Sequence, residues 1–242
     1  MRAKPSPGTL AVLVAVPVLA AGGYTAARET STFAIRTISV QGASPAVAAE
    51  VRSTLEPFVG KSLLALDGGR LVRRVDALPV VESARYDRAF PHTLRISVVP
   101  ERPVAVVRRG LESWLVSGRG RAIARIASHT RLALPRIWVP TAVPIAPGAF
   151  LEPGNGKVAA QVVSLAAGFP ARISTATLSH GELTLRLRSG LELRLGQPVD
   201  VRLKLAVARR ALPLLPAGTT YLDVAVPQRP VAGANSQLSG TD

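Results

Sequence analysis

The 242-residue chain has no cysteine, which excludes a disulfide framework, a thiolate metal site and a cysteine nucleophile together. Its three histidines, His92, His129 and His180, stand in separate turns, with no second histidine or carboxylate three or four positions away. Metal-ligand spacing is therefore missing, and solvated loop histidines are expected. Fifteen carboxylates leave little from which to assemble an acid–base pair, and Gly-x-Ser-x-Gly, Ser-x-x-Lys and His-Glu-x-x-His are all absent. Gly60-Lys61-Ser62 copies the end of a phosphate-binding loop, but Leu55 occupies the place of its first glycine, so the segment reads as a turn between helices. Aromatic residues make up only 4% of the chain, too few to interleave stacking platforms with the basic residues as nucleic-acid binders do. The net charge of +15 comes mainly from arginine, lysine standing only at 4, 61, 157 and 204, and the excess is spread over every segment. No nucleic acid, no cofactor, no metal and no small-molecule substrate is expected.

What is present begins with a long uncharged run. Between Lys4 and Arg28 lie 23 residues without a charge, with an apolar centre from Leu10 to Ala21. At 1.5 Å per residue, about 20 residues cross a hydrocarbon core of about 30 Å. The run reads as a transmembrane helix over 10–27. Arg2 and Lys4 precede it, so the positive-inside rule keeps residues 1–9 in the cytoplasm and exports the chain from residue 28 onward. A cleaved signal peptide ending near Thr25-Ala26-Ala27 is the competing reading. The run exceeds the usual apolar stretch of such peptides, which favours the anchor. Both readings export the rest.

The exported part divides by pattern. Phe33–Gln41 carries β-type residues whose parity shifts midway, suggesting a bulge or a strand that starts near Thr37, and Gly42 ends it. Ser44-Pro45 opens a helix with Val47, Val51 and Leu55 on one stripe. A second helix is expected from Asp67 to Ala77, then strands Val81–Arg88 and Thr93–Val99. The order β-α-α-β-β closes at a Pro100–Pro103 seam. Beyond it the chain is strand-rich, with Trp114 and Trp138 as core or sheet-covering residues. Two helices are expected there, Lys157–Ala167 and Val199–Leu212.

Leu183, Leu185 and Leu187, then Leu193 and Leu195, alternate with polar residues. Face parity demands an odd loop between the two strands. A Ser189–Leu191 loop pairing Leu187 with Leu193 is expected. A last strand, Tyr221–Val226, stops at Pro227, and residues 227–242 read as a disordered tail. That would leave a free sheet edge able to accept a partner strand.

Ile38-Ser-Val-Gln-Gly42, Gly60-Lys-Ser-Leu-Leu-Ala-Leu-Asp67, Leu78-Pro-Val-Val-Glu-Ser-Ala84, Phe90-Pro-His-Thr-Leu-Arg-Ile96 and Glu101-Arg-Pro-Val-Ala105 occur in this order. With Trp114-Leu-Val116, Leu134-Pro-Arg-Ile137, Gly196–Lys204 and Tyr221-Leu-Asp-Val224, the chain from about residue 10 to 227 resembles the FtsQ/DivIB family of bacterial cell division proteins. Ser117 departs from the Asp often found there. The resemblance implies an α+β protein with a transmembrane helix, a POTRA domain over 28–101 and a strand-rich mixed β domain over 102–226. It also implies a non-enzymatic, single-pass type II protein of the cytoplasmic membrane, enriched at the septum, whose partners are FtsB/FtsL-type division proteins and, through them, the septal peptidoglycan synthases. A POTRA-bearing translocation or assembly factor, or an exported wall-polymer binder, is the alternative. Tyr221, Asp223 and Ala225 on the outward parity of the last strand, with Arg202 and Arg209 on the preceding helix, are the expected partner surface.

Overall fold

The computed structural model describes residues 31–130 and 132–234. The short tail 1–9, the uncharged run 10–27 and residues 235–242 lie outside them. No helix among the described residues is long and apolar enough to cross a membrane. The chain forms two compact units, divided between Pro100 and Glu101.

In the first unit, β1 (Thr37–Gln41), α1 (Pro45–Leu55), α2 (Gly68–Asp76), β2 (Val81–Ala89) and β3 (Thr93–Pro100) follow in order. β1 begins at Thr37, after the parity shift. Ala34 instead forms an isolated bridge with Ser62. Gly42 turns the chain at a φ of 81°, where a Cβ would lie 2.4 Å from the Val98 carbonyl oxygen, so both handedness and space require glycine. α1 starts with Pro45 in its first turn, and Ala48, Val51 and Leu55 enter the core. Asp67 caps α2 by accepting the Arg70 N–H at 3.0 Å. The sheet runs β1-β3-β2, with β1 parallel and β2 antiparallel to β3. Leu94, Ile96 and Val98 turn onto Leu55, Leu71 and Val75 in one buried cluster.

The second unit holds β4 (Pro103–Arg109), β5 (Glu112–Ser117), β6 (Ala122–Ile126), β7 (Arg136–Trp138), α3 (Asn155–Leu165), β8 (Ile173–Ser179), β9 (Glu182–Leu187), β10 (Glu192–Gly196), α4 (Val201–Ala211), β11 (Tyr221–Asp223) and β12 (Val231–Gly233). They form one nine-stranded sheet in the order β12-β11-β10-β9-β8-β7-β4-β5-β6. Ile137, Ala176, Leu183, Leu185, Leu193, Leu195 and Leu222 share one core with Ala159 and Val163 of α3 and Val201, Leu205 and Ala208 of α4. Trp114 is buried, while Trp138 is half exposed on the opposite face.

Three expectations are corrected. The β9–β10 pairing joins Glu192 to Arg186 and Leu193 to Leu185, so the loop is Arg188–Gly190 and not Ser189–Leu191. The leucines keep one face because both loops are odd. α4 starts at Val201, since Asp200 sits at a φ of 51°, outside helical backbone, and Val199 is exposed. The last strands differ most: β11 stops at Asp223, and residues 231–233 of the expected disordered tail are a strand paired antiparallel with it.

Candidate functional site

The C-terminal end of the large sheet is built from β10, β11 and β12. β11 runs parallel to β10, with Glu192 opposite Tyr221 and Arg194 opposite Asp223. β12 then covers the other side of β11, with Tyr221 opposite Gly233 and Asp223 opposite Val231. The expected free edge at Tyr221–Val226 is thus occupied by the chain itself. Among the described residues the terminal edge belongs to β12, which has β11 on one side and no strand on the other.

Leu222 and Val224 turn into the core, as their parity required, but Val226 does not and stays exposed. The polar face opposite the helices is a connected set. The Arg194 guanidinium lies 4.3 Å from the centre of the Tyr221 ring, within cation–π range. Glu192 accepts from both Arg186 and Arg194, at 2.5 and 3.5 Å. The Tyr221 ring in turn covers Gly233, where an added Cβ would lie 2.8 Å from its hydroxyl. Tyr221 therefore packs the last strand against the sheet face through a close contact at Gly233 that a side chain there would have to displace.

The five residues singled out from the sequence do not form one surface. Tyr221 and Asp223 lie on the polar face. Asp223 spends its Oδ1 on the Ala225 N–H at 2.8 Å, the turn that ends β11. Ala225 lies past the strand, and its Cβ occupies the space a side chain at Gly196 would need. Arg202 and Arg209 are on α4, which packs against the leucine face, so the sheet separates them from Tyr221. Arg209 donates to the Gly168 carbonyl at 3.1 Å, closing the C-terminal end of α3. Of the five, only Arg202 is an exposed cation with no bond to a neighbouring segment among the described residues.

Sequence reasoning missed two features here. One is β12. The other is an apolar groove of about 750 Å³ at the loop end of β9–β10, lined by Leu187, Leu191, Leu212, Leu215 and Pro216, with Arg209 at its rim and Thr220 leading into β11. Among the described residues no group of three histidine, aspartate or glutamate side chains is placed to hold a metal ion. His92 Nδ1 lies 3.1 Å from the Ala34 carbonyl and His180 Nδ1 lies 3.0 Å from Ser179 Oγ, each in its own turn. The arrangement offers main-chain groups along a strand edge, an aromatic face and an apolar groove, which is the equipment for binding a polypeptide.

Comparisons with known proteins agree in both units. Residues 33–101 match the sequence model of the POTRA domain, FtsQ-type, and residues 105–225 match that of the cell division protein FtsQ/DivIB, C-terminal. Curated relatives are similar over nearly the whole chain. The cell division protein FtsQ of Streptomyces collinus is 27% identical over 235 residues, covering 93% of this chain and 88% of the relative. That of Streptomyces venezuelae is 24% identical over 237 residues, covering 95% and 86%.

Proposed function

The chain belongs to the FtsQ/DivIB family of bacterial cell division proteins, and on that premise we propose that it is a single-pass, non-enzymatic scaffold of the division machinery that takes a partner strand along β12. Residues 10–27 hold it in the cytoplasmic membrane at the division site, with both units outside. Its partners are FtsB/FtsL-type division proteins, through which it reaches the septal peptidoglycan synthases.

The observation that carries this reading is the single-sided pairing of β12 at the end of the nine-stranded sheet. A row of N–H and C=O groups with no strand beside it among the described residues supplies main-chain affinity, and side chains alternating along an added strand supply selectivity. Tyr221, clamped over Gly233 and backed by Arg194, gives the edge an aromatic anchor of the kind that dominates interface energies. Arg202 remains a candidate rim contact on the helix face.

Titrating the extracytoplasmic segments of FtsB/FtsL-type partners against wild type, Ala232→Pro and Tyr221→Ala tests it. Proline removes an N–H and fixes φ, yet an edge strand tolerates it. Each variant is expected to lose about 1–3 kcal/mol of affinity, with circular dichroism unchanged. Unaltered affinity in both, in folded protein, would retire the β12 edge as the partner site.

A further inference from the structure

The first unit carries a charged feature that strand addition along β12 does not use. On α2, Arg70, Arg73 and Arg74 fall on one exposed face. Arg70 and Arg74 also rim a cavity of about 500 Å³ together with Lys61, over an apolar floor of Pro57, Phe58 and Leu66. Lys61 Nζ stands 5.1 Å from the centre of the Phe58 ring. Arg74 is held over the cavity by donating through Nε to the Thr54 carbonyl at 3.1 Å. Asp67 is the single carboxylate in the lining, and its Oδ1 is engaged by the Arg70 N–H. Three cations around the cavity, with Arg73 beside them on the exposed face of α2, form a basic patch above the buried Phe58 and Leu66.

Where the chain enters this unit decides what the patch faces. The Phe33 carbonyl accepts the Leu63 N–H at 2.8 Å, and the Ile35 N–H donates to the Lys61 carbonyl at 2.9 Å. The first described residues thus run antiparallel along residues 60–63, directly beside the basic rim. Five residues, 28–32, separate Phe33 from the end of the uncharged run at Ala27. Fully extended, they span no more than about 20 Å. A bilayer that holds residues 10–27 is therefore always within reach of Lys61, at a high effective concentration.

We propose that Lys61, Arg70, Arg73 and Arg74 dock the first unit onto the headgroups of anionic phospholipids in that bilayer. The guanidinium forks suit phosphodiester oxygens, and the tether removes most of the entropic cost of bringing the surfaces together. Docking makes the position of this unit depend on lipid charge as well as on protein partners. The inference rests on the membrane-anchor part of the function proposed above.

The test uses the full chain in nanodiscs of phosphatidylcholine alone or with one quarter phosphatidylglycerol, reading Lys61 acetylation and amide exchange over residues 58–76 by mass spectrometry. Anionic discs are expected to slow Lys61 acetylation by about five-fold or more, the effect of roughly one basic residue at a charged surface. The protection should disappear in 0.5 M NaCl, where the screening length is about 4 Å, and in an Arg70→Gln/Arg73→Gln/Arg74→Gln variant. Lys61→Gln/Arg70→Gln, which leaves the Arg74–Thr54 bond intact, should lose the α2 protection as well. Equal reactivity in both discs overturns the proposal. So does equal protection of neutral discs by soluble polyphosphate, which would make the patch a site for free polyanions. Flotation with neutral vesicles reads the anchor by itself: a chain that floats only with anionic vesicles would sink the anchor and leave the patch standing.

Discussion

Lys204 shows how a single side chain can be spent on architecture. It is 5% exposed, and its ammonium donates to the Leu195 and Gln197 carbonyls at 2.8 Å each, at the point where β10 gives way to α4. Replacing it by methionine keeps the stem and takes the ammonium from the buried Leu195 carbonyl, while Gln197 keeps the Val199 N–H; an unsatisfied buried acceptor costs about 1–3 kcal/mol. Lys204→Met is expected to lower the stability of the second unit by about that amount. Both tryptophans, Trp114 and Trp138, lie in that unit, so denaturation followed by tryptophan fluorescence measures it directly. A second residue ties stability to pH. The hydrogen bond from Arg109 is the chief reason the Glu112 carboxyl is held below its ordinary value; the charges of Arg109 and Arg125 add to it and partial burial opposes it. A carboxyl lowered in the folded state contributes stability that is complete above its unfolded value and is lost as pH falls through the folded one. The difference in melting temperature between wild type and Glu112→Gln should therefore stay constant from pH 7 to 5 and close below the ordinary carboxylate range. A gap that persists to the lowest pH would show that packing, and not charge, gives Glu112 its effect.

Among the elements, β12 depends on one contact more than on its own sequence. Val231 and Ala232 are exposed and Gly233 lies under the Tyr221 ring. Gly233→Val would force the ring aside, and amide exchange at residues 231–233 is expected to speed up while β9 and β10 remain protected. Unchanged exchange would mean that main-chain pairing alone holds the strand. The same facts explain why β12 was illegible: three residues beside Pro230, with no buried alternation, carry no periodic signal. The β9–β10 hairpin was legible in its faces and wrong in its register. Odd length admits two loops, and the deciding mark was Gly190, whose φ of 93° belongs at the third loop position, after Arg188 and Ser189. The helix starts at Pro45 and after Asp67 were readable because proline and a capping carboxylate act locally. Arg209 was assigned to the partner surface because its bonding partner, the Gly168 carbonyl, is 41 residues away and gives no local signal. Tyr221 was singled out by strand parity, but its neighbours Arg194 and Gly233 come from two different strands and only the fold joins them.

At the scale of the whole molecule, the two units have separate buried clusters with no shared residue, and the boundary can be fixed to a single side chain. Glu101, the first residue of the second unit, is buried, and its carboxylate binds Arg119 at 2.6 Å and lies 4.0 Å from the buried Arg121. Arg121 also donates to the Gly148 carbonyl at 2.9 Å, and both guanidinium groups lie near the Phe150 ring, at 5.7 and 5.8 Å. The residue that leaves the first sheet is thus followed at once by one committed to the second. A fragment covering residues 101–242 is expected to unfold cooperatively by tryptophan fluorescence at the midpoint of the full chain. One that starts at residue 104 deprives Arg119 and Arg121 of their carboxylate, and loss of a buried pair costs about 3 kcal/mol. Glu101→Gln in the full chain should reproduce most of that loss while far-UV circular dichroism of the first unit, isolated by deleting residues 104–242, still shows its own transition. If the fragments beginning at 101 and 104 melt together, Glu101 does not seal the boundary. If the isolated first unit shows no transition, the two units depend on each other for folding despite their separate cores.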